Sequence, residues 1–247
     1  MSLPPPAPPP APGVVSLSSL REGYQALVIG ATGAIGGALF AHLQADPRCL
    51  GVTGLSRSSD PPVMLEDETS LAHAARALRN HPPFQLVIDA TGALSLDGMG
   101  PEKRLDDLQS ERLQRALLVN AVGPVLLLRH FLPLLAGGER VIWAKLSARV
   151  GSIEDNHKGG WYGYRAGKAA LNMLLQTAAI EIARRRPQAV VAALQPGTVR
   201  SPLSRPFVGD DALAPEESGR RLLAVLDTLP ASGRAHFVDH QGQSIPW

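Results

Sequence analysis

Along this 247-residue chain, short apolar runs closed by glycine, proline or polar clusters alternate with longer stretches whose apolar positions recur every three or four residues. The first pattern predicts strands and the second helices. Residues 24–29 predict a strand, 38–44 a helix stopped by Asp46-Pro47, and 51–55 a second strand. Residues 61–65 predict a third, weaker strand, 69–79 a helix, and 84–88 a strand buried on both faces. A loop rich in glycine and charge spans 93–104, and a long amphipathic helix from 105 to 118 continues into the apolar stretch 119–128. Strands follow at 140–144, 189–194 and 235–238, with helices running on from Lys168 and over 216–229. Strands alternating with helices in this way predict an α/β fold, a mostly parallel central sheet covered by helices on both faces.

Two positions interrupt the apolar stretch after residue 118. Asn120 is an amide in a buried setting and needs a partner, structural or functional. Pro124 removes the backbone bond four residues along and predicts a loosened helix near the Asn120 carbonyl.

Composition then narrows the classes. A chain of this length forms one substantial core. Residues 1–20 stand apart: the proline run from Pro4 to Pro12 predicts a disordered tail, or a ligand for a proline-recognition domain, and residues 21–247 a single domain. A net charge of +2 with dispersed basic residues and 4% aromatics argues against nucleic acid. One cysteine, Cys49, excludes an intrachain disulfide and a cysteine-rich metal site, and no metal is expected. No apolar run reaches membrane-spanning length and no basic, apolar leader opens the chain, so a cytoplasmic protein without a membrane partner is expected.

Candidate chemistry gathers at the strand ends. Gly30-Ala31-Thr32-Gly33-Ala34-Ile35-Gly36 stands between a strand and a helix, where glycines permit a tight turn and let the backbone approach a pyrophosphate at a helix N-terminus. This predicts a Rossmann-type three-layer fold that binds a dinucleotide through Gly30, Thr32, Gly33, Ala34, Ile35 and Gly36. After the second strand stand Ser56 and Arg57, suited to a 2′-phosphate, where an NAD site would carry an acidic residue; the expected cofactor is NADP(H). Asp89-Ala90-Thr91-Gly92 closes the buried strand at its cofactor-facing end. Tyr164 and Lys168 lie one turn apart, a phenol beside an ammonium able to stabilise its anion, and so form a candidate proton donor.

In this order and spacing, residues 24–247 resemble the short-chain dehydrogenase/reductase superfamily. Tyr164 and Lys168 match its YxxxK pattern, Asn120 the asparagine of its catalytic tetrad, and Pro196-Gly197-Thr198-Val199 the PG motif flanking the nicotinamide. The glycine turn has the GxxGxxG spacing of extended members, with Ala34 where the usual turn has glycine. Asp89-Ala90-Thr91-Gly92 replaces the NNAG segment, and Ala90, Thr91 and Gly92 are expected at the cofactor. The segment 147–156 with the ending Ile245-Pro246-Trp247 is most similar to the bacterial C-factor-like subgroup.

The resemblance implies that Tyr164 protonates a carbonyl oxygen as hydride reaches carbon. Lys168 lowers the tyrosine pKa and holds the ribose hydroxyls, and Asn120 places a water that connects Lys168 to solvent. A serine should steady the substrate oxygen, but the family's Ser-Ser-x-x-Gly reads Ser147-Ala148-Arg149-Val150-Gly151 here. Either Ser147 serves through a local shift, or Ser152 reaches in, or the donor is missing; Ser147 is the expected residue. The loop 200–215 should cover a small-molecule substrate, with Trp161 and Tyr162 narrowing the pocket. Relatives imply a homodimer or homotetramer. The expected activity is NADP(H)-dependent interconversion of a carbonyl and a hydroxyl. The competing reading is a cofactor-binding signalling or regulatory protein with little chemistry.

Overall fold

Six strands pair into one parallel sheet: β1 (Tyr24–Ile29), β2 (Cys49–Leu55), β3 (Leu86–Asp89), β4 (Val141–Leu146), β5 (Ala189–Gln195) and β6 (Ala235–Asp239). Their order across the sheet is β2-β1-β3-β4-β5-β6. This is the computed structural model of the chain, and it describes residues 15–96, 98–200 and 212–247. Register carries the apolar pattern across the strands. Ala26, Leu86, Ile142 and Val190 form one row, and Leu27, Val87, Trp143 and Val191 the next. The first row joins the core under α1 (Ala34–Ala45) and α6 (Pro215–Thr228); the second joins the core under α2 (Glu68–Ala77), α4 (Gly123–Phe131) and α5 (Tyr162–Arg185). Burying both faces explains why these strands read as unbroken apolar runs. The three-layer Rossmann-type arrangement matches the sequence expectation.

Three expectations need correction. Residues 61–65 form no strand: Pro61 and Pro62 lack backbone donors, and Val63 N–H turns back to the Ser56 carbonyl, leaving β2 at the sheet edge. Packing onto the domain also takes in residues before position 21. Leu17 and Leu20 are buried, Asp46 accepts from Leu17 N–H, the Ser16 hydroxyl and Tyr24 Oη, and Asp227 accepts from Ser18 and Ser19. The proline run and most of the 200–215 loop lie outside the described residues.

The third correction concerns the helical run Ser110–Leu134, which by length and composition is apolar enough to cross a membrane. Its apolar character has a local cause, because Val119, Ala121, Leu127, Leu128 and Phe131 enter the core. The run is also not one regular helix. A turn at Leu105–Asp107 precedes α3 (Ser110–Leu117), and Leu118–Val122 widens into a π turn in which Gly123 N–H reaches back to the Leu118 carbonyl. Pro124 cannot donate to Asn120, and the helix loosens there as expected.

Candidate active site

The strand order reverses between β2-β1 and β3, so the loops after β1 and β3 flank a crevice at the carboxyl ends of the strands. The glycine turn runs from Gly30 to Gly33 and α1 starts at Ala34. Gly30 has a φ of +86°, and a Cβ there would meet the Ala90 carbonyl group at 3.1 Å. A Cβ at Gly36 would overlap the Gly30 carbonyl and come within 3.3 Å of Ala90 Cβ. Turn, helix and β3 loop are therefore packed backbone to backbone. Thr32 and Gly33 are exposed at the tip, and the first turn of α1 (Ala34, Ile35, Gly36) has N–H groups with no carbonyl in the helix to take them.

At the end of β2, Ser56 is buried in a tight turn: its N–H donates to Ser59 Oγ, and its hydroxyl meets that of Ser58. That leaves Arg57 exposed at the sheet's carboxyl edge. At the end of β3, Thr91 gives its N–H and hydroxyl to Asp89 Oδ1. Gly92, at φ +131°, lies so close to the site that a Cβ would stand 3.2 Å from Asn120 Oδ1 and 3.3 Å from Lys168 Nζ.

Asn120 sits in the π turn and is buried. Its amide donates to the carbonyls of Ala93 (2.9 Å) and Ala116 (3.2 Å) and accepts from Ala93 N–H (3.1 Å), tying the helix to the β3 loop. Beside Asn120 and Tyr164 lies a cavity of about 20 Å³, room for a single water.

Tyr164 and Lys168 lie in the first turns of α5. Lys168 Nζ donates to the Leu146 carbonyl at 3.0 Å and stands 5.6 Å from the centre of the Tyr164 ring. Burial pushes Tyr164 up to about 12. Burial, with repulsion from Lys145, brings Lys168 down to about 7, against the attraction of Asp89. The lowering of the tyrosine by Lys168 is thus not seen here: burial is the cause of its shift, and burial raises it.

The entry to α5 went unrecognised in the sequence. Gly159, Gly160 and Trp161 all adopt positive φ, and for a tryptophan that conformation is strained. The buried Glu102 holds it: its main-chain carbonyl accepts from Trp161 N–H, and its carboxylate from Gly163 N–H at 3.1 Å. Arg165 donates to the carbonyls of Gly159 and Gly160. The Trp161 ring meets Tyr164 edge-on at 6.3 Å.

Ser147 stands in the wall of the cleft, where a hydroxyl donor is expected. Its hydroxyl donates to Asn172 Oδ1 on α5 at 2.7 Å, a buried bond that joins β4 to the helix. Ser152 is buried too, accepting from Asp155 N–H and donating to the Trp247 carbonyl. Ala148 occupies the position next to Ser147 in the wall of the cleft. A single space of about 770 Å³ is lined by Ile35, Ser147, Ala148, Trp161, Tyr164, Arg165 and the run Pro196, Gly197, Thr198 and Val199. Ser218 of α6 fixes that last run by donating to the Pro196 carbonyl at 2.7 Å. Tyr162 is not among the described walls.

A family model described as enoyl-(acyl carrier protein) reductase matches residues 66–225. C-signal of Myxococcus xanthus is 34% identical over 144 residues, 58% of this chain and 83% of that protein. The chain belongs to the short-chain dehydrogenase/reductase superfamily. Within it, the likeness to C-signal bears out the C-factor-like subgroup. A second relative, 1-hydroxy-2-glutathionyl-2-methyl-3-butene dehydrogenase of Rhodococcus sp. strain AD45, is 28% identical over 205 residues, 82% of this chain and 84% of that one. Among solved structures, an NADPH-bound carbonyl reductase from chicken fatty liver superposes with a TM-score of 0.77 at 23% identity, covering 92% of this chain and 100% of the other. At that identity the likeness speaks for the fold.

Proposed function

We propose that the protein is an NADP(H)-dependent oxidoreductase that interconverts a carbonyl and a hydroxyl group on a small substrate. The observation that carries the reading is one cleft lined by Tyr164 and the Pro196–Val199 run that also reaches Ile35 in the first turn of α1, with Lys168 Nζ 5.6 Å from the centre of the Tyr164 ring. The residues suit the cofactor. Gly30 and Gly36 leave no room for a side chain in the turn, the first turn of α1 offers N–H groups to a pyrophosphate, and Arg57 is exposed at the edge where a 2′-phosphate would lie. Ser56 would close the same corner, and Ala90, Thr91 and Gly92 would border the ribose.

When bound, the nicotinamide supplies hydride. Tyr164, protonated at neutral pH, donates its phenolic proton to the substrate oxygen. Lys168, near half-protonation at neutral pH, can hold ribose hydroxyls and replace the tyrosine proton. Asn120 fixes the β3 loop beside Lys168 and borders the water-sized cavity that would connect it outward. Ser147 stands in the cleft wall with its hydroxyl tied to Asn172, and Tyr164 is the group placed to steady charge on the substrate oxygen.

Ala148, where the family's serine would stand, favours the second reading, a cofactor-binding signalling protein with little turnover, to which the likeness to C-signal adds weight. The cofactor assignment is tested by fluorescence titration with NADPH and NADH. NADPH should bind more tightly, and Arg57→Ala should erase most of that preference, about 1.5–3 kcal/mol for a lost charge-assisted contact. Equal binding of both cofactors by the unaltered protein would remove the NADP(H) assignment.

A further inference from the structure

Beneath the cleft, β4 carries a lysine in the middle of an otherwise apolar run. The Lys145 side chain is 1% exposed and pairs at 3.0 Å with Asp89, 0% exposed at the end of β3. The ammonium also donates to the Thr91 carbonyl at 2.6 Å and to Thr91 Oγ1 at 3.1 Å. Asp89 Oδ1 takes the Thr91 N–H and hydroxyl in return, while Asp89 Oδ2 is buried without a hydrogen-bond partner among the described residues. Neither side chain is among the described walls of the cleft. An apolar pair of similar volume would be as stable or more so, so stability does not account for two buried charges.

Their neighbours do. Leu146, next to Lys145, presents the carbonyl that accepts from Lys168 Nζ at 3.0 Å. Gly92, next to Thr91, is the residue whose added Cβ would stand 3.3 Å from the same Nζ. The pair grips both chain segments on which Lys168 rests. We propose that Lys145 and Asp89 are positioning residues for Lys168, fixing the backbone around its ammonium and setting, through their opposite charges, how readily it holds a proton. The inference rests on the reading of Lys168 as a cofactor-holding residue.

The groups around Lys168 can be followed element by element. Tyr164 faces it from its own helix, Lys145 from β4 and Asp89 from β3. Asn120 faces it from the π turn without charge. The turn Arg149–Gly151 packs against its stem, but Arg149 pairs with Asp155 and Asp239. Lys145 repels the protonated form and Asp89 attracts it, the repulsion being the larger. Removing the lysine charge therefore keeps Lys168 protonated to higher pH, and removing the aspartate charge loses its proton at lower pH.

The test is NADPH affinity, read by nicotinamide fluorescence across the pH range around neutrality, in Lys145→Met, Asp89→Asn and the double variant. The midpoint should rise in the first and fall in the second, each by on the order of one pH unit. The double should lie between them and above the unaltered protein. Midpoints that stay put, or move the same way, while binding persists overturn the proposal. If a single variant does not fold, Lys145→Arg should keep the original midpoint and the double should raise it; an unmoved double overturns the proposal equally. Failure of the unaltered protein to bind NADPH at all would instead overturn the cofactor reading beneath it.

Discussion

Tyr164, Lys168 and Asn120 could be found in the sequence because each is a polar residue at a fixed spacing in an apolar or helical setting. The partners that decide how they work could not, since those lie far away in sequence. Ser147 meets Asn172 and Lys145 meets Asp89 only once strands and helix are assembled. Lys145 did leave a signal: it is a lone charge inside a strand that packs on both faces. The same reasoning makes a prediction at position 148. If the cleft lacks its usual hydroxyl donor because Ala148 stands there, then Ala148→Ser should raise kcat, by up to about 10²-fold for one restored oxyanion donor. Steady-state kinetics on any working substrate measures this, and an unchanged kcat would mean that Tyr164 alone already saturates that stabilisation.

Among the elements, α5 carries two different demands. Its inner side buries Leu171, Leu175, Ala179 and Ile182 against the sheet and delivers Lys168 to the site. Its outer side leaves Met173 66% exposed and Ile180 44% exposed, seven positions and two turns apart. Periodicity alone allowed the sheet or a partner to cover the apolar positions, and the assembled helix separates the two. The expected homodimer or homotetramer would bury this outer pair. Light scattering should give a dimer or tetramer, and a Met173→Glu/Ile180→Glu variant a smaller species with the fold intact by circular dichroism; a monomer in the unaltered protein would contradict this. Element boundaries were less legible where backbone donors are missing or tertiary contacts intervene. Residues 61–65 are apolar enough for a strand but open with two prolines, and residues 15–20 look like a continuation of the tail until Asp46 and Asp227 gather their N–H and hydroxyl groups.

For the whole molecule, the alternation of strands and helices made the layered sheet legible, because parallel strands buried on both faces leave long apolar runs in sequence. Strand order was not legible from those runs, and it is the order that places the β1 and β3 loops on either side of one crevice. The account as a whole stands on that crevice being a place of proton and hydride transfer rather than of binding alone. The direct measurement is NADPH oxidation followed by absorbance across a panel of small aldehydes, ketones and enoyl thioesters, with Tyr164→Phe measured beside the unaltered protein. The account predicts turnover on a carbonyl compound and a loss in Tyr164→Phe of about 10²-fold or more, with NADPH affinity preserved. Full turnover by Tyr164→Phe, or none by the unaltered protein despite tight NADPH binding, would contradict it.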